Sequence, residues 1–149
     1  MEWLKKLHGA TVGLDTAPLI YFIERHPAYL PLVRPFFVAV EDGLIRALTS
    51  TLTLTEVLIH PYRRNDADLA HQYYRILHGA PNLSMCATSA QIAADAARIR
   101  AVYGLKTPDA IQLATALSEK ATAFLTNDAA IGSLPGIEVI ILEKLLALP

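Results

Sequence analysis

Short apolar runs at residues 11–14, 46–51, 83–87, 122–126 and 137–142 are spaced along the chain, most of them with helical segments between. This alternation limits the fold more than any other feature. Strands too far apart for tight hairpins are joined by crossovers, and a right-handed crossover returns the chain parallel to the strand it left. The expected architecture is therefore α/β, with helices packed on a mostly parallel central sheet. Helices are expected at 17–25, 32–41, 54–59, 67–77, 90–103 and 108–118, with a short one in the tail. Gly43 ends the second and Pro61 stops the third, Asp66 and Ser89 cap the fourth and fifth, and Gly104 closes the fifth. No repeat, low-complexity stretch or linker divides the chain, so residues 1–149 are expected to form one domain with a substantial core.

Composition narrows the class of protein. Hydrophobic residues make up 53% and charged residues 18%, which suits a sheet covered on both faces or a surface that meets another subunit. No run of about 18 uncharged apolar residues occurs, so no membrane span is expected. The N-terminal MEWLKKLHGATVGLD lacks the continuous apolar stretch of a signal peptide. The single cysteine, Cys86, reads as a small core residue and permits no intramolecular disulfide. These features fit an intracellular, cytoplasmic protein. With 13 basic and 14 acidic residues, the chain lacks the bulk positive charge of many nucleic-acid binders. If several acids share one pocket, however, the remaining surface becomes mildly basic, with Arg63, Arg64, Arg98, Arg100 and Lys106 as its candidates.

Four acids stand where an apolar run stops or a helix starts: Asp15 in GLDTAPLIYF, Glu56 in TSTLTLTEVL, Asp109 in LKTPDAIQLA and Asp128 in FLTNDAAIGS. Each has an ordinary structural role open to it. Asp15 can cap the first helix, Thr53 and Glu56 have the spacing of a capping box, Asp109 complements a helix dipole, and Asp128 suits a turn. Capping does not, however, require four acids to meet at one edge of one sheet. In an open α/β sheet that edge is where ligands bind. Carboxylates gathered there repel one another unless a positive charge sits between them, and a hard divalent cation with oxygen ligands is the natural candidate. Thr16, Thr107, Thr126 and Asn127 add neutral oxygens able to hold water or orient the carboxylates.

Other chemistries find less support. The five histidines show no metalloprotease spacing, and P-loop, dinucleotide-binding and serine-hydrolase elbow motifs are missing. A phosphoacceptor receiver domain needs an aspartate after its central strand and a lysine after its last. Here LSMCAT runs into Ser89 and the last strand into Glu143. A metal-dependent phosphatase of small esters also has an acidic site, but usually with different spacing. Tyr73 and Tyr74 could stack on bases, although aromatic residues at helical spacing are more often core.

The segments LDTAPLIYFIE, TSTLTLTEVL, LKTPDAIQLATAL, FLTNDAAI and PGIEVIIL, in that order, resemble the PIN-domain family, and most of all its VapC-type toxin branch. The resemblance spans about residues 12–142. It implies an α/β/α sandwich and cleavage of single-stranded RNA dependent on Mg²⁺ or Mn²⁺. It also places Asp15, Glu56, Asp109 and Asp128 on the family's acidic quartet, with Asp15 and Asp109 as metal ligands, Glu56 beside them and Asp128 often acting through water. Relatives of this type work as homodimers and are silenced by a cognate antitoxin whose C-terminal segment enters the acidic groove. An RNA- or protein-binding PIN-like module without nuclease activity is the alternative. The chain departs from its relatives after Asp128, where Ala129, Ala130 and Ile131 stand in place of basic or bulky polar residues.

Overall fold

The computed structural model describes residues 1–148. Five strands form one sheet: β1 (Thr11–Leu14), β2 (Arg46–Ser50), β3 (Leu83–Cys86), β4 (Ala123–Thr126) and β5 (Glu138–Ile141). Their spatial order is β3-β2-β1-β4-β5, and every pair is parallel. The sheet is thus fully parallel rather than mostly so. Helices α1 (Glu2–Lys5), α2 (Thr16–Ile23), α3 (Leu30–Glu41), α4 (Thr51–Arg63), α5 (Ala67–Gly79), α6 (Ala90–Tyr103), α7 (Thr107–Ser118) and α8 (Leu142–Leu146) complete the fold.

Alternating side chains divide the strands between two cores. Val12, Leu14, Ala47, Ala123, Leu125 and Ile140 join a core with α2 to α5, in which Phe36 and Tyr73 are fully buried. Phe22 stacks on Phe37 at its margin, with ring centroids 4.4 Å apart. Leu48, Phe124 and Ile137 join the opposite core with α6 and α7. Layers of helix, sheet and helix result.

Connections α2–α3 and α4–α5 carry the chain from β1 outward through β2 to β3. The α6–α7 connection then returns it to β4 on the far side of β1. The direction in which strands are added to the sheet therefore reverses at β1 and β4, and at such a switch point a crevice lies beyond the C-terminal strand ends. The β4–β5 crossover has no helix; residues 127–137 make it as a loop, anchored by the fully buried Ile131.

Local signals place most boundaries, with three corrections. Helix α4 does not stop before Pro61 but runs from Thr51 through it to Arg63. The proline ring is buried, and backbone bonding resumes beyond it from Arg64 N to His60 O at 3.0 Å. Burial offsets the missing N–H that makes proline a helix breaker. The second strand ends at Ser50, one residue early, because its hydroxyl accepts a hydrogen bond from Leu52 N at 3.0 Å and so caps α4. Helix α1 also forms where none was expected, and Cys86 is half-buried rather than core. Asp66, Ser89 and left-handed Gly104 act as expected at their helix ends.

Helix α7 lies close against β1, and Gly13 permits the approach. A β-carbon at position 13 would fall 2.5 Å from Ala116 Cβ and 3.0 Å from Phe124 Cδ1. Relief would require α7 to lift off the sheet, moving Asp109 with it. Gly13→Ala is expected to cost about 1–3 kcal/mol through overpacking, read as a lower midpoint in urea denaturation.

Candidate active site

Asp15 follows β1 directly and opens α2. Its Oδ1 accepts from Thr16 N at 2.8 Å and its Oδ2 from Thr126 Oγ1 at 2.7 Å. The same Thr126 oxygen accepts from Asp128 N at 3.0 Å, so one buried hydroxyl at the end of β4 ties two of the acids together. Asp128 also forms a turn, its Oδ1 accepting from Ala130 N at 2.9 Å. Glu56 makes no capping box. Ser50 caps α4 instead, and Glu56 Oε1 accepts from Thr16 Oγ1 at 2.9 Å. Thr16 therefore bridges Asp15, through its amide, and Glu56, through its hydroxyl.

Asp109 lies in the first turn of α7, whose N-cap residue, Lys106, forms no side-chain cap bond. The helix dipole favours the ionised carboxylate there, yet the proton affinity of Asp109 is raised to a pKa of about 7. Burial is the largest cause, followed by the negative charges of Asp15 and Asp128 and a side-chain hydrogen bond to Asp128; Lys106 opposes them. Asp15 is also pushed above the ordinary carboxylate value. Burial dominates there too, the Asp128 charge adds to it, and the Thr126 and Thr16 hydrogen bonds draw it back. Asp15, Asp109 and Asp128 thus share one electrostatic environment, and Glu56 joins them through Thr16.

Beneath the acids lies a buried polar network that the sequence reading did not include. Thr49 Oγ1 donates to Leu14 O at 2.9 Å and stands 2.7 Å from Thr53 Oγ1. Gln112 Nε2 donates to Thr53 Oγ1 at 2.7 Å, while Gln112 Oε1 accepts from Ser50 N at 3.3 Å. With the Thr49 proton directed to Leu14 and the Thr16 proton to Glu56, the Thr53 proton goes to Thr49. Thr16 and Thr53, 3.3 Å apart, then meet as dipoles. A long polar side chain at Gln112, three residues after Asp109 in the largely apolar AIQLATAL, is the signal that could have revealed this network.

The four neutral candidates divide. Thr16 and Thr126 bind the carboxylates directly. Asn127 is committed to scaffolding: its Nδ2 donates to Tyr21 Oη at 3.1 Å and its Oδ1 accepts from Glu143 N at 2.8 Å. Thr107 is exposed at the start of α7. Among the described residues no three His, Cys, Asp or Glu side chains form a ready-made metal cage. The carboxylates instead gather at the C-terminal edge of the sheet, around the ends of β1 and β4. Their oxygen-only donor set, and the raised proton affinities of Asp15 and Asp109, nevertheless suit a hard divalent cation, whose charge would displace the proton on Asp109.

Comparison with known proteins accords with this geometry. The family model of the PIN domain matches residues 12–136, and the chain belongs to that family. A VapBC2 complex from Rickettsia felis, solved with a DNA fragment of its promoter, superposes with a TM-score of 0.68 at 15% identity, covering 88% of this chain and 98% of that one. A toxin–antitoxin complex from Klebsiella pneumoniae gives 0.63 at 23% identity, covering 89% and 98%. DNA-bound VapBC from Salmonella typhimurium gives 0.60 at 19%, with the same coverage. Comparison with the curated proteins gives no match.

Two outcomes follow from the site's energetics. Folded Asp109 keeps its proton to about pH 7, whereas the unfolded chain releases it near 3.8. The stability contributed by this group is thus fully present below pH 3.8 and lost as pH rises to about 7. In chelator, Asp109→Asn should be more stable than wild type at pH 8, and this advantage should shrink at pH 5; equal differences at both values would contradict the raised affinity. Thr53→Val removes the acceptor for the buried Gln112 amide and should cost about 1–3 kcal/mol by denaturation.

Proposed function

We propose that residues 1–149 act as a single PIN-domain endoribonuclease, dependent on Mg²⁺ or Mn²⁺, that hydrolyses phosphodiester bonds of single-stranded RNA. The observation that carries this reading is the meeting of Asp15, Asp109 and Asp128 in the crevice between β1 and β4, with Glu56 linked through Thr16. Asp15 and Asp109 are the metal-holding pair, with Glu56 beside them. A divalent cation bound there supplies charge neutralisation at the phosphate and a nucleophile at neutral pH.

The protein's own groups do the positioning. Thr126 and the Thr16 amide fix both oxygens of Asp15, so its lone pairs face a set direction. Glu56, aimed by Thr16, and Asp128, held by its turn, orient a water for in-line attack on phosphorus. Attack by water leaves a 5′-phosphate and a 3′-hydroxyl, and the ribose 2′-hydroxyl takes no chemical part.

The biological setting forms part of the proposal. The structural neighbours come from toxin–antitoxin complexes, which supports a role as the toxin of a type II pair, a homodimer silenced by an antitoxin in the cytoplasm. No helix among the described residues is long and apolar enough to cross a membrane.

Labelled single-stranded RNA incubated with purified protein in Mg²⁺, Mn²⁺ or EDTA tests the chemistry. Metal-dependent cuts with 5′-phosphate ends are expected, reduced about 10²-fold or more in Asp109→Asn. Cleavage that survives EDTA or the substitution would refute the acidic-site mechanism. No cleavage with either metal would favour a PIN-like binding module.

A further inference from the structure

The five basic side chains that could give the surface a positive region are not equivalent. Arg98 is paired with Asp95 at 2.7 Å, and Arg100 donates to Leu105 O at 2.7 Å. The ion pairs among the described residues are Lys5–Glu2 and Arg98–Asp95, which leaves Arg63, Arg64 and Lys106 exposed and unpaired. All three lie in, or cap, the helices that carry Glu56 and Asp109. Lys106 is the N-cap of α7, close enough to Asp109 for its charge to act on that carboxyl. Arg63 lies in the last turn of α4.

Helical spacing orders the α4 residues further. Thr53, Val57, Leu58 and Pro61 are buried, while Glu56, His60 and Arg63 follow one another at i, i+4 and i+7 along an outer stripe. Arg64, the C-cap, lies off that stripe. At 1.5 Å per residue, Arg63 stands about 10 Å along the axis from Glu56. The offset between the flanks is set, because Gln112 of α7 bonds both Thr53 Oγ1 and Ser50 N at the start of α4. The cleft is acidic and a nucleic-acid backbone is anionic, so attachment needs cations beyond the carboxylates. Loop residues after Asp128 supply none: Ala129 and Ala130 are uncharged and Ile131 is buried.

We infer that a single-stranded RNA seated at the acidic cleft continues along the outer stripe of α4, with Arg63 holding a backbone phosphate two turns from Glu56 and Lys106 holding another on the opposite flank beside Asp109. The inference rests on the ribonuclease reading and adds the substrate's path to it. Recognition is of phosphate rather than base, so it fixes register on the enzyme without selecting a sequence.

Fluorescence anisotropy of a labelled 12-nucleotide single-stranded RNA, titrated in EDTA over a range of salt, tests the path. Arg63→Ala and Lys106→Ala should each weaken binding several-fold and lower the salt slope by about 0.7, the value for one phosphate contact on a single strand. Arg63→Lys should restore the slope. Arg98→Ala, which removes the same charge from a paired position, should change neither quantity. In Mg²⁺, Arg63→Ala should raise KM for the 12-mer and leave a dinucleotide unaffected, because its single phosphodiester sits at the carboxylates and no second phosphate remains for Arg63. Wild-type affinity and slope in Arg63→Ala, or equal losses in Arg98→Ala, would overturn the path while cleavage by wild type still upheld the nuclease. Absence of both binding and cleavage in wild type would overturn both readings.

Discussion

A run of hydrogen bonds from the Leu14 carbonyl through Thr49 and Thr53 to Gln112 joins β1, β2, α4 and α7 beneath the acidic edge. Thr16 extends contact to α2, and Gln112 reaches back to the Ser50 amide. The carboxylates above cannot hold one another in place, since like charges in a partly dry crevice repel. Neutral donors must hold them instead, and these work only if the strand ends and helix starts keep their spacing. The approach of α7 over Gly13 and the threonine–glutamine network set that spacing from below. In the low-dielectric interior each such bond is electrostatically stronger than in water, and any unmatched member is costly. The network is therefore a rigid base as well as a source of stability.

That base supports a locally unfavourable arrangement. Burial and the charge of Asp128 raise the proton affinity of both Asp15 and Asp109, so that ionising the site costs folding free energy. Nothing in the surrounding packing requires Asp109 to carry that burden: its helix starts at Thr107 without a side-chain cap, and the carboxyl is not used to provide one. A residue kept where it opposes stability, beside two others of the same charge, is what a ligand-binding constellation entails. The ordinary roles read from the sequence hold in part for Asp15 and Asp128, which do bond neighbouring amides. The role fails for Glu56, whose place as a cap is taken by Ser50. Asp109 does lie in the first turn of α7, but burial and like charge outweigh the dipole.

How much of this was legible follows from the range over which each feature is decided. The strands were visible because buried parallel strands read as short apolar runs. Once their order alternated with helices, Asp15, Asp109 and Asp128 had to fall at one edge. Thr16 and Thr126 were visible by adjacency to those acids. Asn127 is equally adjacent, but its amide bonds Tyr21 and the α8 amide of Glu143, partners 106 and 16 residues distant in sequence. Thr49 and Gln112 were invisible for the same reason, and Thr53, whose spacing from Glu56 suggests a capping box, bonds Thr49 and Gln112 instead. Thr49 reads as a β-branched strand residue and Gln112 as a polar interruption of an apolar helix, and only the packing of α4 against α7 gives them a common purpose.

Pro61 shows how a local rule can conceal a structural feature. A helix that stopped before it, as the isolated sequence suggests, would end soon after Glu56 and leave Arg63 in a loop with no defined relation to the acids. Packing overrides that preference. The ring is buried, and the Arg64 amide bonds His60 O across the proline. The last turn therefore forms, extending α4 as one rigid element from its Ser50 cap to Arg63. The same residue that obscured the helix in sequence marks where it passes from the network at its base to the exposed cations at its end. A rigid helix across that span converts a pair of surface arginines, unremarkable in sequence, into charges at defined distances from a carboxylate.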